Sequence, residues 1–353
     1  MRAGLALRNG VLDLADRMLP AEAALWDFTA GMQRTKLAGV LVSSGLADAL
    51  GAQTRSSREL ARELGLSEEV TLRLLGAATA SRLVRLDRSG RARLTRLGGP
   101  LRKDHPHSLA SWVAYQAAPA NAAAHAELEG QLREGAEPSG HRRAFGNSVW
   151  EYFGEHPEEG ARFATAMREL TAIDLGGLVR AYPWPREATI CDVAGGVGTL
   201  LAAILERRAS ARGILLDAPE VLAEAEGFLR SRGVADRVQR QPGDLFGTID
   251  AQADVYVLKW ILHDWSDAAC IDILARLRAT MPVGSKVVTI DQHLEPGRPS
   301  PVTSMVDLLM LVECEGGRER SPEQVHELMA KAGLVPGRVR HAGLHMIVEG
   351  IAT

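Results

Sequence analysis

Ile190-Cys191-Asp192-Val193-Ala194-Gly195-Gly196-Val197-Gly198-Thr199-Leu200 opens the second half of the chain with a β-rich run, a turn of three glycines and the start of a helical pattern. Glycines at such a turn let the backbone bend tightly and bring main-chain N–H groups close to a ligand at a helix N-terminus. A dinucleotide fingerprint needs a third glycine after Gly196 and Gly198, and that position is Leu201. The turn therefore speaks against a nicotinamide dehydrogenase. A tight turn with no ligand is the plainer alternative.

Working outward, strand-like runs fall at Ile190–Ala194, Gly213–Asp217, Val238–Gln241, Val255–Leu258 and Lys286–Asp291, with a final pair near Val339–His341 and Met346–Glu349. Helical patterns fall between them at about Thr199–Arg207, Glu220–Arg232, Asp267–Thr280 and Pro322–Ala332. Strand–helix alternation at this spacing predicts an α/β fold with a parallel, doubly wound sheet. Ligands of such sheets bind at the carboxyl ends of the strands.

The residues of interest gather at those ends. Asp217 closes the second strand, nineteen residues after Gly198, where an acid is placed to hydrogen-bond a ribose diol. It is also placed to cap the helix that follows. Gly243-Asp244-Leu245-Phe246 follows the third strand. There Asp244 suits an adenine amino group and Phe246 an apolar face, although Gly-Asp is equally a common turn. Leu258-Lys259-Trp260-Ile261-Leu262-His263-Asp264-Trp265-Ser266-Asp267 follows the fourth strand and puts His263 at a strand's carboxyl end, among tryptophans and acids. A lone histidine is more often structural, so it is this placement that marks His263.

The first half reads as helical up to about Arg180, and Tyr182-Pro183-Trp184-Pro185 suits a break. Two domains are expected, 1–180 and 181–353. Ser56–Gly65 and Glu68–Leu83 read as helices, with Ser67 as N-cap of the second. Leu83–Leu86 and Ala92–Leu97 flank the hairpin signal Asp87-Arg88-Ser89-Gly90, so the whole resembles a winged helix. Residues 55–103 carry twelve Arg/Lys against five Asp/Glu, which would suit phosphate. The rival reading is a packing module with solvated arginines, and it is preferred because the ligand-end residues of the second half need no DNA.

A net charge of -3 gives the whole chain no pull toward nucleic acid or acidic lipid. The longest uncharged stretch, His105–Ala126, is interrupted by Pro106, Gln116, Pro119 and Asn121, a poor membrane span. Cys191, Cys270 and Cys314 are far apart and odd in number, and no signal peptide is read at the N-terminus. A cytoplasmic protein without disulfides is expected. No zinc-helix spacing appears: His326-Glu327 lacks its second histidine.

Five stretches, Asp192–Leu200, Leu216–Val221, Gly243–Phe246, Leu258–Asp267 and Gly316-Gly317-Arg318-Glu319-Arg320, run in one order across the second half. Together they resemble the S-adenosylmethionine-dependent small-molecule O-methyltransferases. That family includes plant caffeate and flavonoid enzymes, acetylserotonin methyltransferase and bacterial natural-product tailoring enzymes. The resemblance implies a Rossmann-like methyltransferase sheet behind an N-terminal helical, winged-helix dimerisation domain, and a homodimer. It implies S-adenosyl-L-methionine as cofactor, no metal, and a small aromatic acceptor.

Carried over position by position, Asp192, Gly195, Gly196, Gly198, Asp217, Asp244, Leu245 and Lys259 would bind the cofactor. His263 would be the base, with Asp291 and Glu319 orienting it. Phe163, Met167, Trp260, Asp264 and Met310 would contact the acceptor, although the apolar ones are equally at home as core. Two positions depart from the family pattern. Ala194 stands where glycine is usual, and Asp291 is one methylene shorter than the glutamate of the plant enzymes. Some relatives hydroxylate or decarboxylate polyketides, and a nitrogen, carbon or carboxyl acceptor stays open. The set of His263, Asp291 and Glu319 favours methylation.

Overall fold

A computed structural model describes residues 2–292, 294, 297 and 300–353. Two compact units emerge. The first is Met1–Ala122 with Phe153–Ile173, and the second is Ala123–Tyr152 with Asp174–Thr353. The division thus falls at 173/174 rather than at 180/181, and residues 123–152 join the second unit. The long helix Pro157–Ala181 explains the position, because Asp174 breaks it with φ -127 and ψ 17. The Tyr182–Pro185 segment is an anchor: Tyr182 and Trp184 are buried in the core, and the Trp184 indole N–H donates to the Val179 carbonyl at 3.1 Å.

In the first unit, helix Ser57–Leu64 begins in a capping box of Ser56 and Glu59, and helix Glu68–Ala80 is capped by Ser67. A hairpin of β1 (Val84–Leu86) and β2 (Ala92–Leu94) follows. Leu41, Leu46, Leu50, Leu60, Leu75 and Val84 form its core. Part of the basic surface is neutralised locally: Arg55 pairs with Glu63, Arg58 with Glu68 and Arg91 with Glu59.

The second unit is built on seven strands: β3 (Thr189–Val193), β4 (Arg212–Asp217), β5 (Val238–Pro242), β6 (Val255–Lys259), β7 (Lys286–Gln292), β8 (Leu334–Ala342) and β9 (His345–Ala352). Their order is β5-β4-β3-β6-β7-β9-β8. The first five are parallel, whereas β9 is antiparallel to both β7 and β8. The sheet is therefore mixed: doubly wound and parallel from β5 to β7, as expected, with β9 antiparallel beyond it. The reason is local: only Gly343 (φ 60) and Leu344 separate β8 from β9, a connection that permits only a hairpin.

β3, β6 and β7 read as apolar runs because helices cover both faces. Tyr256, Leu258 and Val287 pack on one side with helix Asp267–Thr280, and Ile190, Val257 and Ile290 pack on the other with helix Thr199–Arg207. β3 ends at Val193, one residue short of expectation, because Ala194 turns out of the strand with φ 52. Helix Pro301–Glu313, capped by Ser300, has no counterpart in the sequence reading.

Candidate active site

The carboxyl ends of β3, β4 and β6 build one polar corner. Gly195 is required there by space: a Cβ on it would lie 2.5 Å from Cγ of Asp192 and 2.7 Å from a Leu215 methyl. The Asp217 carboxylate accepts from the Gly196 N–H at 2.7 Å and from the Ala218 N–H at 2.8 Å. It holds the glycine turn against the start of helix Pro219–Ser231. Burial raises the Asp217 carboxyl, and those two N–H groups oppose the rise.

Asp192 is buried, and its Oδ2 has no hydrogen-bond partner. Burial pushes Asp192 up to about 7 and Lys259 down to about 7, and each charge holds the other back. The Lys259 ammonium also sits 3.1 Å from the Trp260 ring centroid. Trp260 adopts φ 57, uncommon for a bulky residue, and its buried indole N–H is unpaired. Asp244 is exposed, and its side chain accepts from the Phe246 N–H at 2.9 Å, while Leu245 and Phe246 pack on the core.

His263 lies in a short 3₁₀ turn, Leu262–Asp264, just past β6. Its Nδ1 meets Glu319 Oε1 at 2.7 Å, and its Nε2 lies 3.4 Å from Asp264 Oδ1. All three side chains are nearly inaccessible. Burial alone would lower the imidazole. Glu319 and Asp264, with Asp291 behind them, overcome it and raise His263 to about 10. Burial pushes Asp264 up to about 6 and Asp291 up to about 7, against the pull of His263.

Asp291 is buried at the end of β7, with no partner for its Oδ1. It pairs with no imidazole atom within ion-pair distance, so it acts on His263 through its charge alone. The Glu319 strap is fixed independently: the Glu319 N–H donates to Asp307 at 2.8 Å, and the Arg318 N–H to the His263 carbonyl at 2.8 Å. Gly317 lets the two loops touch, since a Cβ there would lie 2.6 Å from Cβ of Cys314 and 2.9 Å from the His263 carbonyl oxygen.

Met310 is buried on helix Pro301–Glu313 in this unit. Phe163 and Met167 belong to the first unit. Phe163 stacks on Phe153 at 4.9 Å and meets Tyr115 edge-on at 5.4 Å, and the Met167 carbonyl accepts from the Thr171 hydroxyl at 2.7 Å. The structure thus joins Asp192, the glycine turn and Asp217 in one group, Lys259 and Trp260 beside it, and His263, Asp264 and Glu319 in another. It adds Asp307, Cys314 and Arg320 around the base. Only Arg320 lay within a stretch already singled out; Asp307 and Cys314 carry no spacing signal.

Residues 125–335 match the O-methyltransferase domain family. The chain belongs to that family. It is 36% identical over 300 residues, 84% of this chain and 79% of the relative, to an O-demethylpuromycin-O-methyltransferase of Streptomyces alboniger. A mitomycin 7-O-methyltransferase structure superposes with a TM-score of 0.86 at 34% identity, covering 94% of this chain and 98% of that one. An O-methyltransferase from neocarzinostatin biosynthesis, solved with S-adenosyl-L-homocysteine and 1,4-dihydroxy-2-naphthoic acid, superposes with a TM-score of 0.77 at 29% identity, covering 90% and 96%.

The protein is thus an S-adenosylmethionine-dependent O-methyltransferase with the Rossmann-like sheet of its family. Its own corner suits that cofactor. Gly195 lets the turn pack directly against the Asp192 carboxylate, and the buried, unpaired Asp192 Oδ2 suits a donor such as an ammonium. Among the described residues, no helix is long and apolar enough to cross a membrane.

Proposed function

We propose that this O-methyltransferase acts on a hydroxyl of a small aromatic or polyketide-type natural product, with His263 as general base. The buried 2.7 Å contact between His263 Nδ1 and Glu319 carries the reading. A carboxylate on Nδ1 fixes that nitrogen as the donor and leaves Nε2 to take the acceptor's proton. Asp264, facing Nε2, would hold the acceptor hydroxyl, and Trp260 and Met310 would pack on its ring. Asp291 would add negative charge behind the imidazolium.

Asp192, Gly195, Gly196, Gly198, Asp217, Asp244, Leu245 and Lys259 would hold S-adenosylmethionine. When bound, that cofactor supplies an activated methyl group on a sulfonium. What remains for the protein is alignment and one proton. A phenol titrates near ~10, and His263 is raised to about 10, so the proton passes between them at little cost. The same imidazolium–phenolate pair forms when the acceptor arrives ionised. Holding both reactants in line supplies up to roughly 7–11 kcal/mol of the barrier reduction.

Leu14, Trp26, Phe28 and Met32 on the first three helices, and Met18 between the first two, are largely exposed. So many exposed large apolar side chains close in sequence suit a partner surface. A second copy of the chain is the proposed partner, with the winged-helix-like hairpin module serving dimerisation rather than DNA. The decisive experiment is a methylation assay read as S-adenosylhomocysteine release over a panel of phenols, hydroxynaphthoates, anilines and benzoates. Turnover confined to anilines or benzoates would overturn the hydroxyl reading.

A further inference from the structure

The catalytic reading gives Arg320 no role, yet its guanidinium is only 2% exposed beneath the turn that carries His263. Its Nη1 donates to the Leu262 carbonyl at 2.6 Å and its Nη2 to the Trp265 carbonyl at 2.7 Å. Its Nε donates to Asp267 Oδ1 at 2.9 Å, at the start of helix Asp267–Thr280. The two carbonyls bracket His263. The residue before Arg320 is Glu319, which holds the imidazole itself.

We infer that Arg320 is a positioning residue for the base: it clamps the Leu262–Trp265 turn to the strap that carries Glu319, so that turn and carboxylate move as one body. Arg318, Glu319 and Arg320 between them bind the carbonyls of Leu262, His263 and Trp265 and the ring of His263. A rigid planar fork matches this spread of acceptors. An ammonium, a point charge on a flexible stem, does not reproduce it. Burying a guanidinium is costly unless its donors are all engaged, which favours a purpose for its place here. The inference rests on the proposal that His263 is the base.

The test compares Arg320→Lys and Arg320→Ala with the wild type in the intact protein. A displacement of about 1 Å at a reacting group costs on the order of 10²-fold in rate. Arg320→Lys is expected to lose about that much in kcat while S-adenosylhomocysteine binds nearly unchanged, since none of the residues proposed to hold it touches Arg320. Added guanidinium ion should restore part of the activity of Arg320→Ala. His263, assigned by its loss in His263→Ala, should titrate lower by NMR in Arg320→Lys. Its charged neighbours Glu319, Asp264 and Asp291 are all retained in that variant, so a shift reports a loosened contact with Glu319.

Should both variants fold poorly, Asp267→Asn removes one partner of Arg320 at a half-exposed position and should lower kcat several-fold. Wild-type kcat in Arg320→Lys, or a loss that only tracks the unfolded fraction and ignores guanidinium, overturns the inference. An unshifted His263 titration with an inactive His263→Ala would sink the role of Arg320 and leave the base intact. A shifted titration with a fully active His263→Ala would sink the base and leave the clamp.

Discussion

Glu319 Oε1 lies 2.7 Å from His263 Nδ1, while Asp291, at the end of the neighbouring strand, makes no hydrogen bond or ion pair with the ring. One carboxylate therefore sets the orientation of the imidazole and the other only its charge. His263 is raised to about 10, above its ordinary ~6.5. Its stabilising effect is complete below ~6.5 and fades as pH rises through about 10. Glu319→Gln should move that fade, and the rising limb of kcat against pH, toward lower pH. An unmoved limb would mean that Glu319 does not govern the base.

His263→Ala should lose about 10²–10⁴-fold in rate and keep its affinity for S-adenosylhomocysteine. The loss should shrink for acceptors with acidic hydroxyls, which need no base. Equal losses on two acceptors of different acidity would point to positioning alone.

Asp217→Ala removes the acceptor for the Gly196 and Ala218 N–H groups. Hydrogen bonds to a charged group contribute about 1.5–3 kcal/mol. Cofactor binding, read by calorimetry, should weaken by roughly 10–100-fold. NADH should not stabilise either protein in a melting experiment.

Ala194 holds φ 52 where glycine would be at ease. An L-residue in that region costs about 1–2 kcal/mol, while glycine costs about 0.5–1 kcal/mol through the flexibility it adds to the unfolded chain. Ala194→Gly should come out level with the wild type or up to about 1.5 kcal/mol more stable in denaturant unfolding. Ala194→Val, β-branched, should be clearly less stable.

Light scattering should report about twice the 38.0 kDa chain mass. Removing residues 2–29, which carry exposed Trp26 and Phe28, should weaken the dimer. A monomer at micromolar concentration would rule out the second copy as partner.

By itself the sequence determined what local chemistry can determine. The alternation of β-rich and helical runs specified the sheet from Ile190 to Asp291, because burial on both faces demands apolar strands. The glycine turn specified its ligand end, because only glycine fits beside Asp192. The run from Leu258 to Asp267 marked His263. Tertiary structure decided the rest. Which acid holds the imidazole depends on where the folded chain brings each carboxylate, which no spacing encodes, and it is Glu319, 56 residues away, that makes the contact. The role of Arg320 follows from carbonyls on another loop, which acquire their positions only when the chain has folded. The reversal of the last strand turned on a two-residue hairpin, and the division between units turned on one bent residue, Asp174, inside a helix that reads as continuous.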